Sequence, residues 1–364
     1  MPLKTLSGRH ADPRKGRGAG INPEGRFENV DREAFDDGWN TPEDGEPPAL
    51  KTVVTVERAK SIISHNDSPD VGFSQSINPY AGCEHGCVYC FARPSHAYRN
   101  LSPGIDFETR IFAKTNAAEL LRSELSRPGY KCEEIVIGVN TDAYQPIERE
   151  WKITRSVIEV CSEFNQPIGL ITKNAGIERD IDLLAPMAAK RLAAVTISLN
   201  NLDHDVARRL EPRCAAPKRR LQTIKALSAA GIPVCVLIAP VVPFITDQQI
   251  EPVLKAAWEH GARQAGYVLL RLPWEVKDLF KDWLERHYPL KAKHVMSRVH
   301  EMRGGRDNDP CFGSRMVGSG HFADILEKRF EIACRRLGFS SERGRVLDKS
   351  LFAAPRETTQ LALF

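Results

Sequence analysis

No stretch of this chain is apolar for long enough to span a bilayer. The longest run, IPVCVLIAPVVPFI at 232–245, carries three prolines and falls short of the roughly 20 residues a spanning helix needs. The opening MPLKTLSGRH lacks the apolar core of a secretory signal. Charge of one sign is also scarce. The balance of 51 Lys and Arg against 47 Asp and Glu leaves +4 over 364 residues, too little to mark a nucleic-acid binder by composition. No internal repeat is visible. These absences point away from secreted and membrane-embedded proteins and towards a cytoplasmic one with one large or two ordinary domains. Against them stand nine cysteines, an odd number in a chain without an export signal. A disulfide framework does not explain them, so metal binding, catalysis or burial must.

Residues 1–50 differ from the rest, with seven glycines, six prolines and almost no apolar periodicity. Five basic residues in the first twenty give way to nine acidic ones in the next thirty. Such blocks predict a solvated, disordered arm, with folding over the body as the alternative. A core is expected over 51–288, a basic helical extension over 289–345, and a tail over 346–364. The stretch from Lys291 to Arg345 has twelve basic and seven acidic residues and predicts helices near Lys291–Met302 and Gly320–Leu337.

The core carries short, near-continuous apolar runs: EEIVIGVN, PIGLITKN, AAVTISLN, IPVCVLIAP and AGYVLLRLP. These read as strands buried on both faces, with amphipathic helices between them. Val157, Val160, Cys161 and Phe164 mark one such helix, and Ile250, Val253, Leu254 and Ala257 another. Gly231 and Gly261 sit where helices should hand over to strands. With a first strand near Ser76–Tyr80, the count is six. That predicts an α/β fold with a parallel sheet, a partial (β/α)6 barrel of TIM-like type. Polar residues gather after these runs: Asn140, Thr141 and Asp142; Thr172, Lys173 and Asn174; Ser198 and Asn200; Arg271. In parallel α/β folds the active site forms at these carboxyl ends.

Cys83, Cys87 and Cys90 form C-x3-C-x2-C in a loop punctuated by Gly82 and Gly86, directly after the first strand. Three thiolates close together make a soft-metal site. Spacing leaves two readings open. One is an iron–sulfur cluster with an iron left free for a small molecule; the other is structural zinc completed by His85 or His96.

The string CEHGCVYC, extended by Ser76 upstream and by FARPSHAY and LSPGIDFETRIFAK downstream, resembles radical S-adenosylmethionine (radical SAM) enzymes. Within them it is most similar to the spore photoproduct lyase-related, DNA-repair-photolyase-like branch. TDAYQPIE, ITKN, SLNNLD, EPR and APVVPFITD follow in the order of that branch, so the resemblance spans roughly residues 52–340. It implies that Cys83, Cys87 and Cys90 hold a [4Fe–4S] cluster whose open iron takes the amino and carboxylate groups of S-adenosylmethionine. It puts Tyr89 against the adenine. Thr141, Asp142, Lys173 and Ser198 would hold the methionine and ribose, with Glu211 and Arg213 in the same pocket. The implied chemistry is reductive cleavage to a 5′-deoxyadenosyl radical that abstracts hydrogen from a substrate. A flavodoxin- or ferredoxin-like protein would supply the electron.

The resemblance stops short of thymine-dimer repair, because that branch returns hydrogen through a cysteine near the site and NTDAYQP has none. Nucleic acid stays a candidate substrate, with a protein or small molecule as the second reading and a zinc-stabilised nucleic-acid-binding module as the third. Arg208, Arg209, Arg213, Lys218, Arg219 and Arg220 would seat phosphates if they face the site, and otherwise form a solvated helix start. Cys214 is the one extra thiol expected near this end. Cys132 falls at the opposite end of its strand; burial is expected for Cys161, Cys235 and Cys334, and packing roles for His96, Tyr98 and Tyr144.

Overall fold

The computed structural model describes residues 16–27, 50–340 and 347–355. Most of the expected arm (1–15 and 28–49), the segment 341–346 and the end of the expected tail lie outside the described residues. The described residues form ten strands: β1 (Val53–Glu57), β2 (Ile63–His65), β3 (Gln75–Ile77), β4 (Tyr80–Ala81), β5 (Arg110–Lys114), β6 (Ile135–Ile137), β7 (Ile168–Thr172), β8 (Ala193–Ser198), β9 (Val234–Val241) and β10 (Gln264–Leu269). Seven make one sheet in the order β10-β9-β8-β7-β6-β3-β2. Six of these run parallel, and only β2 is antiparallel, on β3. The six parallel strands are the six expected from the apolar runs.

Register sorts the two faces. Val136, Gly169 and Ala194 are cross-strand partners, as are Ile171, Thr196 and Cys235. This inner set lines a cavity of about 1100 Å³. The alternate residues, among them Ile137, Leu170, Val195, Ile197 and Val236, are buried in one core with Val157, Leu184, Ile224 and Leu254 of the flanking helices. Apolar side chains leave water on the outer face, which fixes the helices there. The helix Pro217–Ala229 opens on a proline at its first turn and is followed by Gly231 at φ +77, so both ends carry their expected residues.

The sheet does not close, since β2 and β10 are its two edges. Its edges are nonetheless tied together. Asp70, in the loop after β2, accepts from Gly313 N at 2.6 Å and from Arg315. On the other edge, Leu269 N donates to Met316 O at 2.9 Å, and the Arg303 guanidinium caps the Leu269 and Leu270 carbonyls at 3.2 and 2.8 Å. Unpaired edge groups are thereby covered. The expected C-terminal helices span Pro289–Met302 and His321–Leu337. The second docks through Arg329 on Glu251 at 2.7 Å and Phe330 on Tyr267 at 4.8 Å. No helix among the described residues is long and apolar enough to cross a membrane.

The small sheet β1-β5-β4 was not anticipated, and it matters most to the site. Pairing of Tyr80 with Ala113 and of Ala81 with Phe112 closes the base of the long excursion that begins at Gly82. Within that excursion Arg93 is fully buried against Glu108. Its other donors reach Cys87 O, Pro103 O and Gly104 O at 2.9, 3.1 and 2.8 Å. Glu108 in turn accepts Gly18 N and Ala19 N at 3.0 and 2.9 Å. Residues 16–27 therefore do not stand in solvent as the arm was expected to; they lie over this loop. A Cβ on Gly18 would come 1.8 Å from Gly86 O, so only glycine fits there. Arg93→Met should leave a buried carboxylate and three carbonyls without their donor. A loss of about 3–5 kcal/mol is expected, read as a lowered urea midpoint at unchanged m-value.

Candidate functional site

The loop from Gly82 to Phe91 follows directly on β4. Gly82 and Gly86 adopt φ of +81 and +67, and a Cβ at either would strike backbone or carboxylate within 3 Å. These two left-handed residues turn the chain inwards so that Cys83, Cys87 and Cys90 converge as free thiols. Cys83 and Cys90 pack about Ala92 and Phe107, while Cys87 and Cys90 pack with Tyr89 and Leu210. Burial first, then the neighbouring Cys87 and Cys83, push the Cys90 thiol up to about 12. A cationic iron–sulfur group is what offsets a penalty of that kind.

Three cysteine thiols are a soft donor set of the kind an iron–sulfur cluster takes. Among the described residues no three His, Cys, Asp or Glu side chains close around a single point. Both histidines weighed for zinc have partners among the surrounding groups, and His85 also faces Cys83. His85 Nδ1 lies 3.3 Å from Asp142 Oδ2 and its Nε2 lies 3.2 Å from Asn174. His96 Nε2 lies 2.9 Å from Arg110 O, with the ring edge-on to Phe107.

The carboxyl ends of the strands meet this loop. Asp142 has every acceptor position in use: Thr172 Oγ1 at 2.7 Å, Tyr144 N at 2.9 Å, Lys173 N at 2.8 Å, and the His85 contact. Burial works against its charge, but His85 and these bonds outweigh it and hold the carboxyl well below the usual range. Asp142 therefore ties β6, β7 and the cysteine loop together and has no lone pair left over for a ligand. Thr141 is likewise engaged, its hydroxyl donating to Tyr80 O at 2.9 Å. Ser198, on the inner face, donates to Ala239 O at 3.4 Å.

Glu211 is buried and accepts from the Tyr89 hydroxyl, from Arg220, and from Asn200 Nδ2 at 3.4 Å. Burial opposes its charge, yet Arg220 and Lys173 prevail and lower its pKa. Arg220 is itself held by Ala215 O and Ser198 O at 2.7 and 2.9 Å. The Tyr89 ring is thus fixed beside Cys87. Lys173 is different. Its ammonium faces Cys87, Glu211, Cys214 and Asp142, whose charges outweigh burial and raise its pKa, yet among the described residues it makes no hydrogen bond or ion pair. Cys87, Tyr89, Lys173 and Glu211 are therefore gathered at one place, with Asp142 behind them. Arg213 points away, to Glu84 Oε1 at 3.1 Å on the flank of the loop.

Two further expectations change. Half of the basic crowd at 208–220 is paired, Arg220 with Glu211, Arg219 with Glu178 and Arg213 with Glu84. Of the cysteines expected to be buried, only Cys161 is fully so; Cys235 and Cys334 are half-buried and line the large cavity. That cavity, rimmed by Glu133, Glu134 and Gln264, reaches towards the amino ends of the strands, and none of the cysteine loop lines it. Arg93 and Glu108 escaped the sequence reading, since nothing local distinguishes a buried arginine from a surface one. Cys214 lies nearer than its motif alone implied, with its sulfur 3.8 Å from that of Cys87.

Residues 77–257 match the radical SAM superfamily profile, a span that includes the cysteine loop and the ends of β6 to β9. The uncharacterised protein Rv2578c of Mycobacterium tuberculosis is 35% identical over 232 residues, 63% of this chain and 67% of that one. The uncharacterised protein MJ0683 of Methanocaldococcus jannaschii is 25% identical over 242 residues, 66% of this chain and 86% of that one. Among solved structures, spore photoproduct lyase complexed with dinucleoside spore photoproduct aligns with a TM-score of 0.54 at 13% identity, covering 78% of this chain and 79% of that one. A variant of the same lyase with bound AdoMet gives 0.53 at 14%, covering 79% of each. At such identity the likeness to the lyase concerns the fold. The chain belongs to the radical SAM superfamily, and is an enzyme of the type that works with a [4Fe–4S] cluster and S-adenosylmethionine.

Proposed function

We propose that Cys83, Cys87 and Cys90 hold the [4Fe–4S] cluster, that Lys173 and Tyr89 help seat S-adenosylmethionine beside it, and that the substrate is a nucleic acid. The observation that carries the first part is three free thiols in one loop at the carboxyl end of the sheet, beside a lysine that makes no hydrogen bond or ion pair among the described residues. Cluster and cofactor together supply one-electron cleavage of the sulfonium and, from it, a carbon radical able to take hydrogen from an unreactive C–H bond. The chain's own part is orientation and exclusion of water. Lys173 offers its ammonium to the methionine carboxylate, a charge-assisted bond in a poorly solvated place. Tyr89, fixed through its hydroxyl to Glu211, presents a rigid ring for the adenine. Asp142 and Thr141 act behind them, holding the strand ends against the cysteine loop. A flavodoxin- or ferredoxin-like donor supplies the electron.

Support for a nucleic-acid substrate comes from the surface around the loop. The exposed aromatic rings among the described residues are Phe27, Phe91, Tyr98, Trp274 and Phe312, and each has an arginine over it. Phe91 follows Cys90 directly, Tyr98 lies in the turn beyond it, and Trp274 follows the carboxyl end of β10. Arg271 sits 5.6 Å from the Phe91 ring. Faces for stacking interleaved with guanidinium groups are what an unpaired strand binds. A peptide or a small molecule offers no comparable reason for five exposed rings.

Anaerobically reconstituted protein should bind about four irons per chain with broad visible absorbance, and Cys87→Ala should lose both. Stoichiometric zinc without iron would sink the reading. Lys173→Met should keep its iron yet need about tenfold more S-adenosylmethionine to form 5′-deoxyadenosine under dithionite, as for the loss of one charge-assisted bond. An unchanged requirement would remove Lys173 from the cofactor site. Single-stranded DNA or RNA should bind with an affinity that falls steeply with salt. Phe91→Ala and Trp274→Ala should each weaken it by about 1–3 kcal/mol. Absence of salt-sensitive binding at low ionic strength would leave the peptide or small-molecule substrate standing.

A further inference from the structure

We infer that Cys214 is a positioning residue that tunes the cluster by donating an S–H hydrogen bond to the sulfur of Cys87. The inference rests on the reading above that Cys87 is a cluster ligand. Its basis is geometric. The two sulfurs stand 3.8 Å apart, within hydrogen-bonding reach for sulfur and well beyond the bonded distance of about 2.05 Å. Cys214 is thereby a partner to a ligand's sulfur and no ligand itself, a distinction that the iron count decides.

The contact is built from the backbone outwards. Val88 N donates to Leu210 O at 3.2 Å, and Arg213 N donates to His85 O at 3.3 Å. These two bonds lace the segment 210–214 onto the loop 85–88, one on either side of the sulfur pair. Cys214 N donates to Glu211 O at 3.2 Å, which turns its side chain inwards. Glu211 cannot drift, since Arg220 and Tyr89 hold both its oxygens. The thiol is therefore pinned opposite Cys87 by groups that have no other reason to meet there.

Hydrogen bonds to cysteinyl sulfur are one of the levers that set cluster potentials. A donor offsets the charge the cluster gains on reduction, so it favours the reduced form and eases the uptake of an electron. Partners beyond the ligands commonly tune a metal site in this manner. Exposed amide or water donors would admit solvent to a site that must exclude it. A thiol supplies one donor and an apolar body together.

The test uses full-length protein, reconstituted anaerobically, as wild type, Cys214→Ala and Cys214→Ser. Iron is counted in each, and the reduction midpoint is followed by electron paramagnetic resonance. All three should load the same iron. The alanine variant should reduce at a lower potential, by about a tenfold change in the reduction equilibrium, or about 59 mV for one electron. The serine variant, which keeps a donor, should stay close to wild type. A fully loaded alanine variant with an unchanged midpoint would overturn the inference. So would loss of iron in that variant, which would make Cys214 a ligand or a structural support. Wild type that takes up no iron would instead fail the parent reading of Cys83, Cys87 and Cys90, and the inference with it.

Discussion

A loop without regular structure has been buried, and the rest of the molecule is arranged around that constraint. Backbone N–H and C=O groups taken from water must find partners, and a loop cannot supply them from within. Here side chains do so from a distance. Arg93 serves three carbonyls, including that of Cys87. Gln145 bonds both Glu84 N and Gly82 O, and Glu84 in return takes Ile147 N. Glu108 balances the charge of Arg93 and binds two amides of the amino-terminal segment. Charged residues that would ordinarily be solvated have become interior framework, each acceptable there because its bonds are complete.

The same accounting separates groups that build the site from groups left to act in it. Asp142 and Glu211 are buried carboxylates whose acceptor positions are occupied by protein donors. Thr141 and Arg213 are likewise engaged with their neighbours. Lys173 shares the same enclosed space without such an engagement. Strand-end position alone ranked these residues together; their hydrogen bonds divide them. Residues with complete partners confer rigidity on the enclosure around Lys173.

The fold was readable wherever local pattern and burial coincide. Near-continuous apolar runs with β-branched residues marked five of the six parallel strands, and helix spacing marked two of the helices behind them. The three cysteines were readable because a fixed spacing in a glycine-turned loop is itself the chemical requirement. Other parts depend on long-range pairing and left no local trace. β4 is two residues long and exists only because β5 lies beside it. Arg93 and Glu108 look like any arginine and glutamate until they face each other. The run of basic residues at 208–220 suggested a surface for phosphates, whereas three of its arginines meet carboxylates from elsewhere in the chain. Residues 16–27 read as solvated because their glycines suit a loose arm. Those glycines instead allow a close approach, as at Gly18 beneath Gly86.

That approach also orders events in time. Gly18 and Ala19 leave the ribosome early, yet the carboxylate that receives them is Glu108, and the loop they cover is completed by Leu210 and Arg213. Domains form during synthesis as their parts become available, and this contact has no partner until more than half of the chain is made. Residues 16–27 are therefore made before the loop they cover, yet settle on it only after that loop is complete.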